Sequence, residues 1–218
     1  FARDSEFICT DITDTSLTFV LKSSEETLKV YPFVFALKIT YTLKEHDLDV
    51  CWEVVNKDSE TMYFTIGGHP AFRVPVREGE SQSDYRLAFE EQDALTYLLI
   101  DTSVGTVIAN EPHTLSLEKG TCTIDPHMFD KDALVFDNGQ IQKAGILLPD
   151  GTPYLTLTSE GFPNFGIWSV PGAPFVCLEP WMGRCDDCGF EKPLSEKANI
   201  NVLKPDEEFI RSYQITVH

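Results

Sequence analysis

The 218-residue sequence has few basic residues: 17 Lys and Arg stand against 35 Asp and Glu, which gives a formal net charge of −18. This charge would repel a nucleic-acid backbone or an anionic membrane surface, so we expect neither partner. Long hydrophobic runs are also missing. The longest strongly apolar run covers residues 33–37, whereas a membrane-spanning helix needs about 18 or more apolar residues. The sequence also lacks a phosphate-binding P-loop, a G-x-S-x-G nucleophile motif and a His/Cys cluster with zinc spacing.

Cysteines are few and scattered, and of the six only Cys185 and Cys188 form a C-x-x-C pair. A zinc ribbon needs a second close pair and a thioredoxin-like site needs a βαβ context, and the sequence offers neither. The first residues show no basic segment followed by an apolar one, as a signal peptide would. We therefore expect reduced thiols and a cytoplasmic protein.

Alternation of apolar and polar residues with a period of two dominates the chain. Residues 33–44 alternate over their whole length, and residues 48–54 follow after a short turn, which predicts an antiparallel hairpin. Similar short segments are residues 16–22, 62–66, 85–89, 95–100, 113–117, 133–137, 144–148, 153–159, 164–170, 174–178 and 209–217. No helical stripe is longer than two turns. So many short strands predict an all-β fold, a large antiparallel β-sandwich, and the lack of a linker predicts one domain over residues 1–218.

The segment Gly67-Gly68-His69-Pro70-Ala71-Phe72 carries the first candidate for chemistry. Two glycines permit a close backbone approach, and Pro70 fixes the chain directly after His69. A histidine held in this way can act as an acid or a base near neutral pH. A turn histidine with purely structural contacts is the alternative interpretation.

A second candidate is Glu179, which follows an apolar strand-like segment and precedes Pro180 and Trp181. Burial at the end of a strand would raise the pKa of this carboxyl toward that of a useful base. Trp181 offers an apolar surface of the kind that a sugar ring contacts. A strand-end glutamate held by a salt bridge is the alternative here.

Together the two motifs, residues 67–72 and Leu178-Glu179-Pro180-Trp181-x-Gly183-x-x-Asp186, resemble the aldose 1-epimerase (galactose mutarotase-like) family, in particular its LacX-type branch. Two further segments, residues 1–4 and residues 203–209, also resemble this family. The resemblance therefore extends over essentially the whole chain.

The resemblance implies a galactose mutarotase-like β-sandwich that binds an aldohexose in a cleft and interconverts its α and β anomers. His69 matches the family's general acid and Glu179 its general base, while Arg3 and Asp132 match residues that contact the sugar. The implied chemistry needs no metal and no other cofactor. Relatives carry further strands and a substrate-binding histidine before the position of Phe1, so we expect an N-terminally incomplete sheet and sugar site.

Three other functions stay open at this point. A hexose-6-phosphate 1-epimerase would need a basic phosphate pocket, for which the sequence offers Arg3, Arg73, Arg77 and Arg184. A glycoside hydrolase would need a second carboxylate beside Glu179, from Asp132 or Asp186. A carbohydrate-binding protein on the same fold would bind sugar without turnover.

Overall fold

Strands make up nearly all of the regular structure in the computed structural model, which describes residues 1–218. Strands β1 to β10 are Ile8–Ile12, Ser16–Lys22, Phe35–Lys44, Asp47–Asn56, Met62–Phe64, Ile66–Gly67, Ala71–Arg73, Arg86–Phe89, Ala94–Tyr97 and Ile100–Asp101. Strands β11 to β20 are Thr106–Val107, His113–Ser116, Thr121–Thr123, Leu134–Phe136, Lys143–Leu147, Pro153–Thr158, Asn164–Trp168, Phe175–Met182, Asn201–Leu203 and Glu208–Val217. The predicted all-β class is confirmed.

Helical structure is confined to one α-helix, α1, and three 3₁₀ turns. Helix α1 is Glu25–Val30, and the 3₁₀ turns are Ala2–Asp4, Gln82–Asp84 and Leu194–Glu196. Ser24 starts α1 because its hydroxyl accepts the Thr27 N–H while the Thr27 hydroxyl accepts the Ser24 N–H, a capping box. None of these helices has the length and apolar character needed to span a membrane.

The chain divides into two compact units, of which the first comprises Phe1–Phe64 and Asn201–Thr216. Its main sheet is antiparallel in the order β1-β2-β3-β4-β20, and β5 pairs with β19 separately. Strands β3 and β4 form the predicted hairpin. Every second residue of β4 is buried from Val50 onward, including Trp52, whose ring lies 5.4 Å from that of Tyr213. The period-two pattern of the sequence thus marks the buried face of this sheet.

The second unit comprises Thr65–Ile200 and Val217–His218 and contains the candidate site. One group of its strands pairs in the order β16-β15-β8-β13. A second sheet has the order β14-β17-β18-β6. Strand β7 pairs with the same edge of β18 as β6 does, but β6 lies along the C-terminal end of β18 and β7 along its N-terminal end. Strands β17 and β18 are almost entirely buried. Strand β18 therefore runs through the dry interior of this sheet with a neighbour on either side.

Most predicted strands are present within a few residues of their expected limits, but the prediction that β18 ends before Glu179 was wrong. The strand runs on through Pro180 and Trp181 to Met182. Leu178 N–H donates to Pro70, and the Pro180 carbonyl accepts the Gly68 N–H, so both groups face the segment between β6 and β7. The ladder along this edge of β18 is interrupted between β6 and β7. A backbone N–H at position 180 would point into the interruption, so the proline there removes no hydrogen bond of the ladder.

Candidate active site

Strand β18 brings three functional groups to one face of its sheet. Because side chains alternate along a strand, Cys177, Glu179 and Trp181 point the same way. In register with them on β17, Trp168 lies opposite Cys177, and Gly166 lies opposite Glu179. Cross-strand partners share a face, so Trp168 belongs to the same surface as the glutamate.

The interrupted edge beside β18 places His69 against this face. Gly67 in β6 pairs with Trp181, and Ala71 in β7 pairs with Cys177. Between these two points the chain leaves the ladder, and His69 Nδ1 lies 3.2 Å from Glu179 Oε1. The structure therefore brings together the two residues that the motifs predict as acid and base.

The two side chains differ sharply in their contact with solvent. The Glu179 side chain is 6% exposed and that of His69 is 54% exposed. Burial raises the pKa of Glu179 to about 8, the negative charge of Asp132 acts in the same direction, and a hydrogen bond with Trp181 opposes the rise. The rings of His69 and Trp168 meet in a T-shaped arrangement, with their centres 5.6 Å apart. A dry carboxyl with a pKa close to neutrality thus faces an accessible imidazole.

Trp181 lies beside Glu179 on this face of the sheet, and its side chain lowers the pKa of the Glu179 carboxyl. Its indole lies across Gly67 and Gly166, where a Cβ on either residue would overlap the ring. The ring is half-buried, and the Trp181 side chain forms a hydrogen bond with Glu179. The absence of side chains at these two glycines lets the indole lie close against the two neighbouring strands, beside the glutamate. That Trp181 also contacts a sugar stays a prediction.

Asp132 lies at the rim of a cavity of about 700 Å³ that Trp168 also lines. Its backbone is in the left-handed region with φ at 75°, and its carboxylate accepts the N–H of Ala133 at 2.6 Å. Other polar residues that line the cavity are Asp101, Thr102, Glu111, His113, Asp130 and Lys131. Because Asp132 acts on the pKa of Glu179 and Trp168 packs against His69, the cavity adjoins the His69–Glu179 pair.

Arg3, the other residue that the resemblance assigns to sugar binding, lies in the first unit. It belongs to an exposed 3₁₀ turn, and its guanidinium forms an ion pair with Asp4 at 3.1 Å. Its predicted contact with substrate stays a prediction.

Arg184 fixes the chain that follows β18. Its buried guanidinium donates to both carboxylate oxygens of Asp137, at 2.9 and 2.8 Å, and pairs with Asp187 at 2.8 Å. Asn164 donates to the same Asp137 carboxylate at 2.7 Å. This network occupies the Arg184 guanidinium, so the residue has a structural role here.

The C-x-x-C pair lies in the same region, and all six cysteines of the chain are free. Cys185 packs against an apolar cluster that includes Leu98 and Val107, while the Cys188 sulfur lies 3.1 Å from Thr106 Oγ1. Both thiols therefore have local structural contacts.

The sequence singled out neither Trp168 nor Cys177 as a functional residue, and it placed Cys177 within the predicted strand of residues 174–178. Cys177 is buried, at 1% exposure. Its sulfur nevertheless lies within 4.8 Å of ligand atoms of both His69 and Glu179. Cys177 lies two residues before Glu179, so the alternation of side chains along a strand could have indicated that both point to the same face. Trp168 can be placed on this face only from the register in which β17 pairs with β18.

Gly166→Ala tests the close approach of Trp181. The added methyl overlaps the indole, so we expect a loss of about 1–3 kcal/mol in the free energy of unfolding. In a Trp181→Ala background the same substitution has no ring to displace and should cost much less. Urea denaturation of the four proteins in this double-mutant cycle measures both values. An equal cost in the two backgrounds would contradict the proposed contact.

Glu179→Gln tests the burial of the carboxyl through the pH dependence of stability. The folded protein, with a pKa of about 8, binds the proton more tightly than the unfolded chain, with a pKa near 4.5. The tighter proton binding at Glu179 therefore stabilises the fold. Its contribution to the free energy of unfolding is complete below about pH 4.5 and is lost as the pH rises to about 8. We expect the glutamine variant to gain stability relative to wild type across that range in denaturant titrations. Glu160→Gln, at an exposed position, is the matched control, and parallel curves for Glu179→Gln and wild type would refute the expectation.

Comparison with known proteins agrees with this architecture. A solved structure of a galactose mutarotase related enzyme from Lactobacillus acidophilus superimposes with a TM-score of 0.92 at 31% identity, covering 100% of this chain and 73% of the relative. A galactose mutarotase-like protein from Lactobacillus casei ATCC 334 gives a TM-score of 0.86 at 29% identity, covering 100% and 75%. These similarities confirm the predicted mutarotase-like fold.

Sequence comparison leads to the same group. Protein LacX of Lactococcus lactis subsp. lactis, encoded on a plasmid, is 28% identical over 219 aligned positions, which cover 100% of this chain and 73% of LacX. The sequence model of the aldose 1-epimerase family matches residues 1–209. With the paired His69 and Glu179 on a mutarotase-like fold, this match establishes that the chain belongs to the aldose 1-epimerase family.

Proposed function

We propose that the protein interconverts the α and β anomers of an unphosphorylated aldose, with Glu179 as general base and His69 as general acid. The observation that carries this proposal is the 3.2 Å approach of His69 Nδ1 to Glu179 Oε1, between an exposed and a buried side chain. Membership of the aldose 1-epimerase family supports a sugar as the substrate. A neighbouring cavity of about 700 Å³ is large enough to admit one.

The proposed reaction needs one proton removed and one delivered at neighbouring oxygens. Glu179 takes the proton of the anomeric hydroxyl while protonated His69 donates to the ring oxygen, and the C1–O5 bond breaks. Rotation about C1–C2 presents the other face of the aldehyde, and the two residues exchange roles when the ring closes. The two sugar oxygens are attached to the same carbon, so an acid and a base that lie side by side reach both. The raised pKa of Glu179 makes it a stronger base, suited to work near neutral pH.

The charges around the cavity support a neutral sugar over a phosphorylated one. Four carboxylates line it against one lysine, Lys131; they belong to Asp101, Glu111, Asp130 and Asp132. Carboxylates accept hydrogen bonds from sugar hydroxyls and repel a phosphate. Two arginines that could have formed a phosphate pocket have other partners, since Arg184 binds Asp137 and Arg77 approaches Glu80. For a hydrolase, Asp186 is likewise engaged, by Lys197 at 2.9 Å.

Loss of the base or the acid should abolish most of the anomer exchange. We expect Glu179→Gln to lower kcat by about 10²–10⁴-fold with sugar binding largely retained, since the amide keeps the shape but cannot take a proton. His69→Asn should lower kcat similarly and weaken binding as well. Exchange between the two anomer signals of an aldohexose, followed by NMR, measures the rate. Glu160→Gln is the matched control and should keep the wild-type rate; near-wild-type exchange in Glu179→Gln would exclude catalysis by this pair.

The charge of the cavity predicts a preference among sugars. We expect kcat/KM for a free aldohexose to exceed that for its 6-phosphate by on the order of tenfold or more, because the carboxylates repel the phosphate. Replacing one of these carboxylates, as in Glu111→Gln, should reduce the ratio of kcat/KM for the free sugar to kcat/KM for the 6-phosphate. Added salt should reduce this ratio further, because it screens the repulsion. A higher kcat/KM for the 6-phosphate would instead favour a hexose-6-phosphate 1-epimerase.

A further inference from the structure

Cys177 is a buried nucleophilic group that the proposed reaction does not use. Its sulfur, a ring nitrogen of His69 and a carboxylate oxygen of Glu179 all lie within 4.8 Å of one another. Three different donor types thus converge from β18 and from the interrupted edge beside it. The cluster differs in chemistry from the lining of the cavity, which offers mainly carboxylate oxygens. It combines one sulfur, one nitrogen and one oxygen donor.

This donor set fits a borderline-soft transition metal. Thiolate, imidazole and carboxylate are the three zinc ligands in proteins, at about 2.3, 2.0 and 2.1 Å from the metal. Two ligands about 2.0 Å from a tetrahedral ion lie about 3.3 Å apart, and His69 Nδ1 and Glu179 Oε1 are 3.2 Å apart. The sulfur lies within 4.8 Å of both atoms, compared with about 3.6 Å between a sulfur and a nitrogen bound to one tetrahedral zinc ion, so the donors must approach by about 1 Å at most. Magnesium and calcium prefer oxygen donors and would gain nothing from the thiolate.

The surroundings of the cluster also suit reversible binding of a metal ion. The indole of Trp181 packs beside Glu179 on the same face of β18, where it can support the carboxylate as the outer contacts of a metal ligand commonly do. The ring of His69 is 54% exposed, so an ion can reach the cluster from solvent. Three protein ligands leave a fourth tetrahedral position for water, the arrangement of an open site rather than a closed structural one.

We propose that His69, Cys177 and Glu179 form a zinc-binding site at which Zn²⁺ reversibly inhibits the protein. On binding, the Cys177 thiol loses its proton to solvent, as does the His69–Glu179 pair where it is protonated, and each residue donates one lone pair to the ion. The lone pairs that would move protons on the sugar are then occupied. Metal binding is independent of the proposed function, whereas the inhibition rests on it.

Cadmium, a thiophilic substitute for zinc, tests the site without reference to activity. The purified full chain is titrated with Cd²⁺ in the ultraviolet region of the sulfur-to-cadmium charge-transfer band, and Zn²⁺ affinity is measured by calorimetry. We expect Cys177→Ser to lose one equivalent of the band and at least about tenfold in Zn²⁺ affinity. Cys122→Ser, at a half-buried thiol outside the cluster, is the control and should behave as wild type. Equal bands and affinities in wild type and Cys177→Ser would overturn the proposal.

Inhibition supplies the second test, with each protein compared with its own metal-free rate of anomer exchange. We expect Zn²⁺ to inhibit wild type and Cys122→Ser, EDTA to reverse the inhibition, and Mg²⁺ to have no effect. Cys177→Ser should need at least about tenfold more Zn²⁺ for the same fractional inhibition. Unchanged sensitivity in that variant would overturn the inhibitory role. If wild type showed no anomer exchange at all, the proposed function would fail, and the cadmium band would still decide the metal site.

Discussion

The burial of the Glu179 carboxyl beside His69 is the constraint on which the candidate site depends. A carboxylate in water has a pKa near 4.5, whereas this one is raised to about 8 by loss of solvent. The raised pKa has an energetic cost, because the ionised form is disfavoured in the fold. The pairing of β18 with β17 on one side and with β6 and β7 on the other keeps the carboxyl buried despite this cost.

Two small irregularities beside β18 assemble the candidate site. The ladder beside β18 is interrupted between Gly67 and Ala71, and His69 projects from the interruption onto the glutamate. Gly166 and Gly67 leave room for the indole of Trp181, which acts on the pKa of the same carboxyl. The rest of the sheet supplies a dry and rigid support, as a site that positions reacting groups requires.

The sequence allowed the strands to be predicted from local patterns, and the resemblance of two motifs to a known family predicted that His69 and Glu179 lie together. Alternation with a period of two identified the hairpin of β3 and β4, and glycine and proline marked the segment around His69. The position of Glu179 inside β18 could not be foreseen, because Pro180 is a strand-ending signal unless the neighbouring strand is interrupted. The roles of Gly166 and Trp168 depend on cross-strand register, which local patterns do not contain. The contributions of Arg3 and Asp132 to sugar binding rest on the family resemblance.

Titration of the Glu179 carboxyl by ¹³C NMR tests the central claim most directly. In protein labelled at the glutamate side-chain carbon, the resonance missing from Glu179→Gln assigns the residue. The burial described above predicts a midpoint of about 8 for this resonance. A midpoint near 4.5 for Glu179 would show a solvated carboxyl and would contradict its proposed role as a base of raised pKa.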